Sequence, residues 1–175
     1  SIFYALCDDN GSETYKFLKK FYEYQQPIKI KSISEVKEDG NLINTDKIYY
    51  RFRQGDRAKN DLRVLADVVA KRCISTNSSL AIEDLDFAKK KKSGMKHKNN
   101  KKYNKMIHSL AYASFTDFVK RSCFKNNIHL SLVNPAYTSI IGKEKYSENK
   151  KLNVHTAASY VIGRRALNFI DNRPV

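Results

Sequence analysis

Between Asn60 and Cys73 the residues Leu62, Leu65, Ala66, Val69, Ala70 and Cys73 recur at helical spacing and form one apolar stripe. The polar stretch Ser75 to Ser79 breaks that helix. The run Leu80-Ala81-Ile82 follows, short enough for a buried strand. A helix feeding a buried strand points to an α/β arrangement, with the helix laid against a sheet. The strand then runs into three carboxylates, Glu83, Asp84 and Asp86. A carboxylate in a core is costly unless something pairs with it. Either the strand ends at Glu83 and the acids face water, or the acids converge on a cation.

The flanking segments supply the rest of a sheet. Residues 2 to 7, IFYALC, read as a strand that runs into the turn Asp8-Asp9-Asn10-Gly11. Residues 12 to 24 suit a short amphipathic helix capped by Ser12, a helical insertion at 12–26 after the first strand. KIKSISEVKEDGNLINTDKIYYRF reads as a hairpin. Ile28, Ile30, Ser32, Ser34 and Val36 lie on one face of its first arm, and Asp39-Gly40 forms the turn. After the acidic strand, Ala88 to Lys105 is almost pure cation without apolar period, so a mobile basic loop is expected over 88–104. Ile107, Leu110, Ala111, Phe115 and Phe118 share a helix face. Residues 128 to 133 are a strand, 134 to 151 a polar connection, and His155 to Leu167 a last helix burying Ala158, Val161, Ile162 and Ala166.

Strand, two-strand hairpin, helix, strand, helix, strand, helix is the order of a ribonuclease-H-like domain. There, a three-stranded antiparallel meander is joined through helices to two parallel strands. We expect one such domain over 1–175 with a mixed α/β sheet flanked by helices.

The net charge of +15 across 175 residues is too basic for an ordinary enzyme of small metabolites and points to a polyanion. No apolar run approaches the ~20 residues of a spanning helix, which favours nucleic acid over a membrane. The N-terminal stretch lacks the basic lead of a secretory signal, so a cytoplasmic, nucleoid-associated protein is expected. The first residue is Ser rather than Met, consistent with a missing or processed start. Cys7, Cys73 and Cys123 are dispersed, with no CxxC pair, so no zinc is expected and the thiols read as small core residues.

In the ribonuclease-H-like order three positions meet: the end of the first strand (Asp8 or Asp9), the end of the LAIED strand (Glu83) and the start of the last helix (His155). Acids gathered at strand ends can bind hard divalent ions such as Mg2+ or Mn2+, and ions about 4 Å apart can activate water and stabilise a leaving phosphate oxygen. A helix N-terminus favours neutral His, which suits a ligand or a general base. Spacing alone leaves a turn open for Asp8 and Asp9, and a solvated strand end or cap for Asp84 and Asp86.

IEDLDF (82–87), VNPAYTSIIGKEKY (133–146) and VHTAASYVIGRRALNF (154–169) together resemble the OrfB/TnpB family of transposon-encoded proteins, and most closely its branch without a zinc ribbon. The resemblance covers roughly residues 30 to 175 and is strongest over 104 to 169. It implies a RuvC-like nuclease domain, metal-dependent cleavage of DNA and, in the family, guidance by RNA. Glu83 matches the family's second catalytic acid. His155 stands where the third acid of a D-x-N-A-A stretch is usual. Asp8-Asp9-Asn10 keeps the D-x-N of the first acid but has Leu6 in place of Gly, which makes Asp8 the ligand. A second alignment begins at YQQPIKI, where no acid stands, and would leave an inactive site. The domains that precede the nuclease in full-length members are missing, as for a fragment, a decayed copy or an accessory protein.

The cationic residues Lys89, Lys90, Lys91, Lys92, Lys96, Lys98, Lys101, Lys102 and Lys105 can neutralise phosphates, which positions a strand without reading its bases. Arg164 and Arg165 point some 100° apart on the last helix, so one can reach a phosphate while the other pairs at the surface. Tyr137 either stacks on a base or packs the NPAYTS turn.

Overall fold

The computed structural model describes residues 2–8, 28–51, 53, 56–84 and 99–172. Its elements are β1 (Ile2–Asp8), β2 (Ile28–Lys37), β3 (Leu42–Arg51), α1 (Asp56–Ser75), β4 (Ser79–Glu83), α2 (Asn99–Lys125), β5 (Leu130–Val133), α3 (Thr138–Ile141), a π-helical turn (Gly142–Ser147) and α4 (Val154–Ala166). The expected insertion at 12–26 and Lys89 to Lys98 lie outside the described residues.

The strands form one sheet in the order β3-β2-β1-β4-β5. β2 pairs antiparallel with both β1 and β3, while β1, β4 and β5 run parallel. The meander plus two parallel strands is therefore the arrangement that element order predicts. Gly40 has φ +80, and its N–H donates to the Lys37 carbonyl at 2.8 Å, closing the Asp39-Gly40 turn.

Helices cover both faces of the sheet. On one face Tyr4, Leu6, Ile33, Leu80 and Ile82 meet the α1 stripe (Leu62, Leu65, Ala66, Val69, Cys73) and Phe115, Val119 and Cys123 of α2. On the other, Ala5, Cys7, Ala81 and Val133 meet Ala158 and Ile162 of α4. Small residues let α4 come close: a Cβ on Gly163 would lie 2.5 Å from Val36 Cγ2. α4 buries every residue from Thr156 to Gly163, more than the one-sided stripe predicted. Likewise β2 is covered on both faces, so Lys31 and Ile33 are as buried as Ile30 and Ser34.

Two expectations are corrected. Residues 99 to 105 belong to α2, not to a loop. Lysine is a good helix former, and these residues extend a helix anchored downstream by Phe115, Val119 and Cys123; apolar periodicity cannot see such an extension. Residues 134 to 151 contain α3 and the π turn rather than a plain polar connection. This segment is held by backbone contact, because Gly142 is so close to α4 that a Cβ would lie 2.7 Å from Ala157 C and Ala158 N. No described helix is long and apolar enough to cross a membrane.

Candidate active site

Because β1 and β4 run parallel with Ala5 opposite Ala81, their C-terminal ends leave the sheet side by side. Asp8 is the last residue of β1 and Glu83 the last of β4. The structure thus brings these two strand ends together, as the sequence order requires, but the register sets Asp8 level with Asp84, one position past the level of Glu83, so the two acids hold alternate positions of the ladder. Asp8 is described by its backbone, which stands directly opposite Lys31 of β2. Glu83 stands opposite Val133 of β5, and paired residues of parallel strands share a face. Val133 packs in the α4 layer, so Glu83 is presented to that side.

Two further residues bear on this edge and were not assigned to it from sequence. Cys7 lies two residues past the Ala5–Ala81 pair, level with Glu83, and packs in the α4 layer with Ala158 and Ile162. Tyr112 of α2 donates from its hydroxyl to the Glu83 carbonyl at 2.9 Å, from the other side of the sheet. In the continuous apolar run of β1 Cys7 read only as a small core residue, and the one sequence signal for Tyr112 was its place one residue from the Ala111–Phe115 stripe.

His155 sits in the first turn of α4 and is half-buried. Asn153 caps the helix, its side chain accepting from Thr156 N at 2.9 Å. The neighbouring Thr156 carbonyl accepts from Ser34 Oγ at 3.1 Å, so this turn lies over β2. β2 and β4 flank β1, which separates them by roughly 10 Å. Among the described residues, no group of three or more His, Cys, Asp and Glu is placed to hold one metal ion. The donor chemistry of Asp8 and Glu83, all oxygen, still fits Mg2+ or Mn2+ with retained waters, and an imidazole suits Mn2+ better than Mg2+.

Arg164 lies inside the protein. Its Nε donates to Asp171 Oδ2 at 2.9 Å and its Nη1 to the Gly40 carbonyl at 2.9 Å, while the guanidinium lies near the rings of Tyr146, Tyr160 and Phe169. It locks the β2–β3 turn to the last helix. Arg165 reaches the other way, donating from Nη1 to the Asn134 carbonyl. Tyr137 takes a left-handed conformation (φ 62) and is 52% exposed on the turn that follows β5, at the same sheet end as Glu83. Lys101, Lys102 and Lys105 lie in the first turns of α2. Burial pushes the Cys73 thiol up to about 12 and the Cys123 thiol to about 11, so both are unreactive core residues.

No protein-family model matches the chain, and no curated protein does. Among solved structures it is similar to T. thermophilus RuvC in complex with a Holliday junction substrate, with a TM-score of 0.53 and 8% identity over 94% of this chain and 91% of that one. The fold is that of RuvC. The likeness spans nearly both whole chains, so the RuvC-like sheet includes the strand ends that carry Asp8 and Glu83.

Proposed function

We propose that the chain is a divalent-metal-dependent nuclease that hydrolyses DNA phosphodiesters. The observation that carries this reading is the pair of acids, Asp8 and Glu83, ending adjacent parallel strands of a RuvC-like sheet. Asp8 and Glu83 would hold Mg2+ or Mn2+, and His155, whose helix turn lies over β2, would take up the proton of the attacking water through a relay of solvent rather than ligate the ion. The ion, when bound, supplies the positive charge that an anionic phosphoryl transition state needs. Lys89, Lys90, Lys91, Lys92, Lys96, Lys98, Lys101, Lys102 and Lys105 hold the strand, and Tyr137 stacks on a base. The OrfB/TnpB resemblance extends the reading to a transposon-encoded enzyme with a guide RNA as partner.

Calorimetric titration of Mn2+ into the parent, Asp8→Ala and Glu83→Ala tests the site, followed by nicking of supercoiled DNA. The parent should bind and nick, and each variant should lose both. A parent that neither binds nor nicks sinks the proposal.

One observation favours a second reading, a nucleic-acid binder of the same fold without catalysis. The β1 residue level with Glu83 on the α4 side is Cys7, a thiol where a carboxylate would complete the site. On that reading Cys7→Asp gives the α4 side a second carboxylate and confers Mn2+ binding that the parent lacks, while DNA affinity is that of the parent.

A further inference from the structure

We propose that Tyr112 is a positioning residue for Glu83, with the buried Lys31 ammonium as the anchor of its ring. This deepens the metal-site reading above and rests on it.

β4 has only five residues, and its last residue must present a carboxylate in a fixed direction. Metal sites tolerate errors of only about 0.5 Å in ligand placement. The end of a short strand is where a ladder frays first. Here the end is tied on both sides. The Asp84 N–H donates to the Val133 carbonyl at 2.7 Å, on the β5 side. The Glu83 carbonyl accepts from the Tyr112 hydroxyl at 2.9 Å, from α2. The two bonds grip the single peptide group that joins Glu83 to Asp84, its carbonyl from α2 and its N–H from β5, and so fix the backbone on the C-terminal side of the Glu83 side chain.

Tyr112 can do this only if its ring is itself fixed. Phe115, 2% exposed, meets it edge-on with centroids 6.5 Å apart at 67°. Lys31, 5% exposed, places its Nζ 4.7 Å from the Phe115 centroid and 5.8 Å from that of Tyr112. A cation at these distances is attracted to the ring faces, more strongly where water is excluded. Lys31 is also the residue directly opposite Asp8 in the β1–β2 ladder. The Lys31–Tyr112 pair therefore reaches from the strand position beside Asp8 to the backbone of Glu83, on the face of the sheet away from α4. Outer partners of this kind orient a ligand without touching the ion, and their loss weakens metal binding by about 10- to 100-fold.

The test is Tyr112→Phe in the full chain, which removes one hydroxyl and keeps the ring, Phe115 and Lys31 contacts. Two quantities are read: the Kd for Mn2+ and the hydrogen-exchange rate of the Asp84 amide. The expected result is about ten-fold weaker Mn2+ binding, faster exchange at Asp84, and an unchanged melting temperature. Mn2+ affinity equal to the parent's overturns the proposal, because a merely structural hydroxyl would leave it untouched. If the parent itself binds no Mn2+, the nuclease reading has failed, and exchange at Asp84 alone decides the strand-end role. Faster exchange in the variant supports it, and parental exchange overturns it.

Discussion

The hydroxyls of Ser34 and Ser159 lie 2.6 Å apart where β2 meets α4, and both residues are fully buried. Both hydroxyls also lie within hydrogen-bond distance of the Thr156 carbonyl, Ser34 at 3.1 Å and Ser159 at 2.8 Å; with one proton each, one hydroxyl donates to the other and the second donates to the carbonyl. This small polar knot fixes the first turn of α4, and with it His155, over the sheet. Ser159→Ala leaves Ser34 with fewer partners in a dry contact and should cost about 1–3 kcal/mol. Ser34→Ala combined with Ser159→Ala should cost less than the two single changes summed, because they share partners. Urea unfolding of the three variants measures this, and strict additivity would show that the two hydroxyls are not coupled.

Gly142 lies against the backbone of α4, where a Cβ would meet Ala157 C at 2.7 Å. Backbone cannot step aside as a flexible side chain can. Gly142→Ala should therefore destabilise by about 1–3 kcal/mol, although alanine is the better helix former. A variant as stable as the parent in urea would mean that the π turn can lift off α4 at no cost.

Glu83→Ala separates a metal role from a structural one. Relief of repulsion between strand-end carboxylates should leave the melting temperature of the metal-free chain unchanged or slightly raised. Stabilisation of the parent by added Mn2+ should vanish in the variant. A large drop in melting temperature without metal would assign Glu83 to a structural ion pair instead.

Arg53 donates from Nη2 and Nε to Asp61, at 2.5 and 3.0 Å, and its backbone N–H adds a third bond at 3.1 Å. The Arg53 side-chain hydrogen bonds hold the Asp61 carboxyl below its usual range, against the opposing effect of burial. The unfolded chain therefore takes up this proton at a higher pH than the folded one. The pair's stabilisation is fully present above the ordinary aspartate pKa of about 3.9 and is lost as pH falls through the lower folded value. Asp61→Asn should flatten the acid limb of the stability curve and leave its neutral region parallel to the parent's. Urea midpoints across the acid range check this, and an unchanged acid limb would remove Asp61 from the account.

Much of the fold was legible in the chain because apolar spacing reports burial directly. The α1 stripe, the β1 and β4 runs and the Asp39-Gly40 turn each contain their own signal. The π turn contains none, since Gly142 is placed by a neighbour distant in sequence. For the site, strand order was enough to bring the ends of β1 and β4 together. It could not show that Cys7 is the residue level with Glu83 on the α4 side, because that depends on register between strands more than seventy residues apart. Nor could it tell Arg164 from Arg165: adjacent on one helix, the first turns in to Asp171 and Gly40 and the second out to Asn134.

Element order, sheet topology and the excess of cations can be read from the chain, because periodicity, turn chemistry and charge are local or additive properties. Tertiary structure alone decided which face each strand end presents and which polar groups meet. Lys31 shows the reason: in KIKSIS it sits where alternation would leave a solvent-facing residue, yet it is buried because α2 covers that second face of β2. A side chain's fate there is set by a helix some eighty residues further along, and no local pattern encodes that contact.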